Sequence, residues 1–173
     1  NMQILIYTKI INTIQFDIKS ISDRQRFTFD IFNDPRSYWG FNIIDQNYKS
    51  VRKLIHTMVR AAGYGANFLL NTGPMPNGKI QPENVDTLMA IGSWLESHGE
   101  AYYGTRKGPL EPQDWGVTVS KDDVVYVHIL DHQGGTIQLH GFNPKLESAV
   151  YFEDGSKAEV KRHKAGIILT VPA

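Results

Sequence analysis

VRKLIHTMVRAAGYGANFLLN, residues 51–71, decides how this chain is read. Val51, Leu54, Ile55, Met58, Val59 and Ala62 fall at i, i+3, i+4, i+7, i+8 and i+11, one stripe of an amphipathic helix over residues 50–62. Arg52, Lys53 and Arg60 take the other side. Gly63 and Gly65 follow and can end the helix in a left-handed cap. The apolar run Phe68-Leu69-Leu70 then reads as a short buried strand, and helix followed by buried strand suggests a parallel α/β unit. Ligands of such units gather at the carboxyl ends of strands, which singles out Asn71, Thr72 and Gly73. A plain structural turn is the competing reading, and the pattern alone favours it.

Outward from there, residues 72–82 hold two glycines and three prolines and must form a loop, with Asn77-Gly78 as its tight turn. Pro82 and Glu83 suit the first turn of a second helix. Its apolar face is expected to be Val85, Leu88, Met89, Gly92 and Leu95, with Trp94 in the core and Gly99 as the stop. Toward the N-terminus, Asn33-Asp34-Pro35 is a break, and residues 4–32 read as β-like, with Ile14, Phe16 and Ile18 alternating against polar neighbours. After Thr105 the period changes to two: residues 116–120, 124–130, 136–140, 149–153, 157–162 and 166–171 predict an antiparallel sheet or sandwich, packed on the second helix or its neighbours. Turns fall at Lys121-Asp122-Asp123, Gln133-Gly134-Gly135 and Asp154-Gly155. Residues 107–113, with Gly108, Pro109 and Pro112, suit a linker, and Trp115 is expected to plug the interface between the two halves.

With 173 residues, 41% of them hydrophobic, the chain can bury a core in one ordinary domain or two small ones. Eighteen basic and eighteen acidic side chains cancel, so no net field draws it to nucleic acid. The absence of cysteine excludes a disulfide scaffold, a thiolate metal site and a cysteine nucleophile, and leaves the compartment open. Apolar runs such as residues 167–171 fall far short of the ~20 residues of a membrane helix, and the start has no signal-peptide design. The chain opens on Asn1, which suggests a soluble piece of something longer.

Chemistry is the sparser part of the reading. The six histidines, His56, His98, His128, His132, His140 and His163, never make a helical i, i+4 pair around an acid, so no metal is expected, and His128 reads as a surface or cross-strand residue. There is no G-x-S-x-G elbow and no phosphate-cradling loop. Tyr38, Trp39 and Phe41 form an aromatic cluster that suits either a sugar-stacking platform or core. Before Glu83 the only carboxylates are Asp17, Asp23, Asp30, Asp34 and Asp45, and nothing in their spacing identifies the pair of carboxyls, ~5–5.5 Å apart, of a retaining glycosidase.

Four ordered motifs go further. YWGFN at residues 38–42, YKS at 48–50, GANFLLNTGPMPNGKI at 65–80 and IGSWLESHGEAYYGTR at 91–106 together resemble the α-L-fucosidases of glycoside hydrolase family 29, and GPLEPQDWGVTVSKDDVVYVHIL at 108–130 is similar to the start of the β-sandwich that follows their barrel. The likeness runs from about Tyr38 to the end and does not extend before Asp34.

The resemblance implies an α/β + β fold: a C-terminal remnant of a (β/α)-barrel over residues 1–106, with residues 1–33 of uncertain relation, and an antiparallel β-sandwich over residues 107–173. Residues 50–62 would be a late barrel helix and residues 68–71 the last barrel strand. The implied function is that of a fragment of an exo-acting retaining α-L-fucosidase releasing terminal fucose from fucosylated glycans, without cofactor or metal. Its parent is expected to be periplasmic or secreted in a bacterium. The family's nucleophile aspartate lies on a middle strand that nothing here resembles. Its acid/base glutamate, usually in a Trp-Glu pair, falls where this chain reads Phe29-Asp30, so no catalytic residue is assigned. Trp39 and Asn71 are the implied substrate-binding residues. Uncovered barrel edges would favour self-association. The alternative function is a carbohydrate-binding or structural β-sandwich module derived from a fucosidase, without catalysis, and a scaffold using open strand edges is a third.

Overall fold

The computed structural model describes residues 2–7, 26–30, 41–44, 47–132 and 134–172. The alternation at Ile14, Phe16 and Ile18, the break at residues 33–35 and the aromatics Tyr38 and Trp39 lie outside them. In chain order come strands β1 (Met2–Tyr7) and β2 (Arg26–Asp30), helix α1 (Val51–Gly63), strand β3 (Asn67–Asn71) and helix α2 (Pro82–His98), which runs into a 3-10 turn at Gly99–Ala101. Seven strands follow: β4 (Arg106–Lys107), β5 (Gly116–Lys121), β6 (Val124–Ile129), β7 (Gly135–His140), β8 (Leu146–Tyr151), β9 (Val160–His163) and β10 (Gly166–Val171).

The first helix forms where its stripe predicts. Ser50 caps it, its Oγ accepting the Lys53 N–H at 3.2 Å. Gly65, at φ +70°, ends it in a Schellman turn, with Gly65 N–H donating to Ala62 O and Ala66 N–H to Ala61 O, both at 2.9 Å. Gly63 is not part of the cap. It is the last helical residue, lying so close to β5 that a methyl group there would overlap Val117.

The second helix starts at Pro82 as expected, but it buries a different face. Asn84, Ile91 and Trp94 point inward, while Val85, Leu88 and Met89 are exposed, Met89 by 70%. The reason is that the bulky end of the helix fixes its rotation. Trp94 and Ile91 enter the core around α1, and the Trp94 ring stacks on His98 at 4.8 Å with 4° between planes. That leaves the Val85 stripe roughly a third of a turn away, at about 3.6 residues per turn. Gly99 ends α2 in a right-handed conformation, and a glycine is needed there because Tyr103 packs where a Cβ would stand.

Behind the helices the sandwich has a five-stranded sheet, in the order β4-β5-β6-β1-β8, facing a three-stranded sheet, β7-β10-β9. Val125, Val127, Ile129 and Ala149 from the first meet Ile137, Leu139, Ile167 and Leu169 from the second. The strand periodicity predicts the six strands and an antiparallel sheet or sandwich, but not the order of the strands, and two further points differ. The outer strands sit a few residues off their expected bounds, as at β8 and β9. More important, β1 joins this sheet, parallel to both β6 and β8, while every other ladder of the sandwich is antiparallel. No local pattern marks that partnership, since its members lie more than a hundred residues apart.

The helical layer and the sandwich share a second core, in which Leu54, Ile55, Met58, Val59, Ile91 and Trp94 surround Val117 and Leu130. Burying each such aliphatic side chain contributes about 1.5–3 kcal/mol. The plug at this interface is Val117 from β5, fully buried, whereas Trp115 packs on the sandwich core instead. Residues 106–113 do not hang free between the halves. Arg106 and Lys107 pair with β5, Gly108 N–H donates to Thr118 O at 3.0 Å, and Leu110 N–H donates to Thr118 Oγ1 at 3.2 Å.

Candidate functional site

The short β2-β3 ladder positions the candidate site. The two strands are parallel, in the register Arg26↔Asn67 through Asp30↔Asn71, so Asn71 and Asp30 are partners at the carboxyl ends of both strands. Side chains alternate along a strand. Phe68 and Leu70 therefore share the face that packs on the α1 core, and Asn71 shares the opposite face with Leu69, which is 58% exposed. Asn71 itself is half-buried. A polar amide thus stands at the rim of a parallel ladder, on the side away from its covering helix, where α/β folds present groups to ligands.

The loop after Asn71 is tied down at both ends. The Asn84 amide, fully buried in the first turn of α2, donates to Thr72 Oγ1 at 2.6 Å, and Gln81 Nε2 donates to Tyr48 Oη at 3.3 Å. Between them, Met75 N–H donates to Lys79 O and Gly78 N–H to Met75 O, each at 2.8 Å, closing the tight turn at Asn77-Gly78. The sequence pattern marked Thr72 but missed Asn84 and Gln81. Their one sequence signal is a pair of amides flanking Pro82 at a helix start, positions where Asn and Gln commonly serve the backbone rather than each other. Phe41 is half-buried, and Trp39 lies outside the described residues, so its meeting with Asn71 stays an expectation.

His128 is not a surface residue. It is 1% exposed, because β6 is covered on both faces: Val125, Val127 and Ile129 look into the sandwich, and Tyr126 and His128 look toward the helical layer. Its Nε2 donates to Ala101 O at 3.1 Å. Burial pushes its pKa down from 6.5 to about 4, with nearby His98 adding in the same direction and the Ala101 bond opposing, so the ring is neutral at ordinary pH. Next to it, burial raises the Tyr126 phenol, aided by the Glu100 carboxylate that accepts its hydroxyl at 3.3 Å.

Two other clusters are structural in character. Arg60 reaches from α1 to Asp131 Oδ2 at 2.8 Å and to the carbonyls of Gln113 and Asp114 at 3.2 and 3.1 Å, with His56 Nδ1 3.9 Å from Asp131 Oδ1. These contacts clamp helix to sandwich. A cavity of about 640 Å³ opens on the sandwich between β8 and β9, lined by Leu146, Glu147, Lys157, Glu159 and Arg162, without an aromatic ring to stack on a sugar. Among the described residues, no three His, Asp or Glu side chains gather as metal ligands would.

The family model for α-L-fucosidase matches residues 15–100, the segment that holds the β2-β3 ladder, both helices and the Asn71 loop. The tissue α-L-fucosidase of Rattus norvegicus is 28% identical over 152 residues, 79% of this chain and 31% of the rat protein. Among solved structures, α-L-fucosidase isoenzyme 1 from Paenibacillus thiaminolyticus superposes with a TM-score of 0.74 at 25% identity, over 87% of this chain and 36% of that one. The Thermotoga maritima α-fucosidase in complex with fucose gives 0.73 at 26% identity, over 88% and 37%. The chain thus spans about a third of the length of these relatives. Sequence motifs, the family match and the shared fold of ladder, helices and sandwich agree, and the chain belongs to the α-L-fucosidase family.

Proposed function

We propose that this chain is the C-terminal portion of an exo-acting, retaining α-L-fucosidase. In this reading residues 1–106 are the end of a (β/α)-barrel, residues 107–173 are its accessory sandwich, and Asn71 and Trp39 form part of the wall around a terminal fucose of a glycan. The observation that carries it is Asn71 at the carboxyl end of a parallel ladder backed by α1, the place where barrels bind their ligands. The fucose complex of the Thermotoga relative supports fucose as the ligand class.

The apolar surface left open supports the remnant reading. Leu69 faces away from α1, and Val85, Leu88 and Met89 line an outer stripe of α2, where further strands and helices of a complete barrel would pack. The same surface favours self-association of the isolated chain.

Retaining hydrolysis needs two carboxyl groups about 5–5.5 Å apart, one as nucleophile and one as acid/base, acting as a unit. Among the described residues Asp30 is the carboxylate in register with Asn71, and no segment of the chain resembles the family's nucleophile strand, so the chain alone is expected to bind fucose weakly and not to hydrolyse fucosides. An aryl α-L-fucoside assay on the purified chain tests this. Turnover above buffer that vanishes in Asp30→Asn would overturn it.

A further inference from the structure

β1 lies inside the five-stranded sheet, between two strands from the far end of the chain. Residues 106–129 form a consecutive antiparallel run, β4-β5-β6, and β8 stands two strand positions from β6, with β1 between them. No ladder joins β6 to β8 directly. Strands lie about 4.8 Å apart, so the gap between β6 and β8 is about 10 Å wide, the room of one extended chain. Both walls of this gap present backbone donors and acceptors that only an inserted strand can pair.

β1 fills the gap without local help. It pairs with β6 from Gln3↔Val124 to Tyr7↔His128, and with β8 from Met2↔Leu146 to Ile6↔Tyr151. Both ladders are parallel, so no hairpin turn can link β1 to either neighbour. Its sequence, MQILIY, carries no charge and no proline, the composition of a segment that adds readily to an open edge. The floor under the gap is the sandwich core, where Val125, Val127 and Ala149 are buried on either side of it.

We infer that the β6-β8 gap is a strand-acceptor site, whose ligand is a single extended apolar peptide entering parallel to both walls, and that β1 is its occupant, held in place by two backbone ladders. The site recognises backbone through two ladders. Because both ladders recognise backbone and no turn joins β1 to either neighbour, the β1 of a second copy fits the same gap, and strand exchange between copies follows. This inference is independent of the fucosidase reading, since it concerns the sandwich and not the Asn71 loop.

The test uses the full chain carrying Leu5→Pro, which removes a ladder N–H from the middle of β1, and reads amide hydrogen exchange. Protection in Val124–Ile129 and Leu146–Tyr151 should fall by about tenfold or more while that in α1 persists. A synthetic peptide of sequence MQILIY at millimolar concentration should restore it, and the same peptide N-methylated at its leucine should not. If protection of Leu146–Tyr151 is unchanged in Leu5→Pro, the inference is wrong. If Leu5→Pro loses protection throughout, Gln3→Pro, near the bulge at the start of the strand, decides. Failure of the unmodified peptide to restore either variant also overturns the site.

Discussion

Asp30 and Asn71 are register partners at the carboxyl ends of two parallel strands. The family resemblance places the acid/base position at Phe29-Asp30, and the ladder sets that position beside the amide expected to touch sugar. On this basis Asn71→Ala should weaken fucose binding by roughly 3- to 10-fold, the worth of one hydrogen bond. Saturation-transfer NMR titration with fucose measures it. An unchanged affinity would remove Asn71 from the site.

The Gly63 contact predicts a cost for the smallest possible change. A methyl group there must push against Val117, which is fully buried between helix and sandwich. Gly63→Ala is therefore expected to lower stability by about 1–3 kcal/mol, even though alanine is the better helix former. Urea unfolding gives the number, and because the nearest atom is the Val117 Cβ, which alanine keeps, Val117→Ala in the same chain should not recover the loss.

His128 makes stability depend on pH. Its folded pKa, about 4, lies below its unfolded value of 6.5, so the unfolded state binds the extra proton in between. The contribution of the neutral ring is complete above pH 6.5 and is lost as pH falls toward 4, by about 3 kcal/mol in total. His128→Gln should flatten the curve of unfolding free energy in that window. A wild-type curve with no slope between pH 6.5 and 4 beyond that of the variant would refute the assignment.

Arg60 and Asp131 hold α1 to the sandwich through one 2.8 Å ion pair, and their side chains are 19% and 16% exposed. Asp131→Ala leaves the guanidinium with carbonyl partners only. A loss of about 1–2 kcal/mol is expected, below the value for a fully buried pair because solvent reaches both groups. Thermal melts of the variant and the parent at low and high salt measure it, and a difference that disappears in salt would mean a surface pair without a structural role.

Much of this molecule is legible residue by residue. The stripe from Val51 to Ala62, the cap at Gly65, Pro82 at a helix start and the alternating strands after Thr105 are all local codes, set by periods of 3.6 and 2 and by the backbone freedom of a few residues. The end of β3 at Asn71 is legible too, where an apolar run gives way to a polar residue. The inner face of α2, the burial of His128 and the parallel docking of β1 were not. Each depends on what lies across a gap in the chain: Trp94 turns α2 so that Val85, Leu88 and Met89 face out, the helical layer closes over the second face of β6, and β1 meets partners more than a hundred residues away. Period and propensity by themselves therefore determined which segments are helix or strand. Which face each one buries, and which strands become neighbours, was decided by packing between distant segments, because burial is a property of the assembled layers and no single segment contains both sides of a contact.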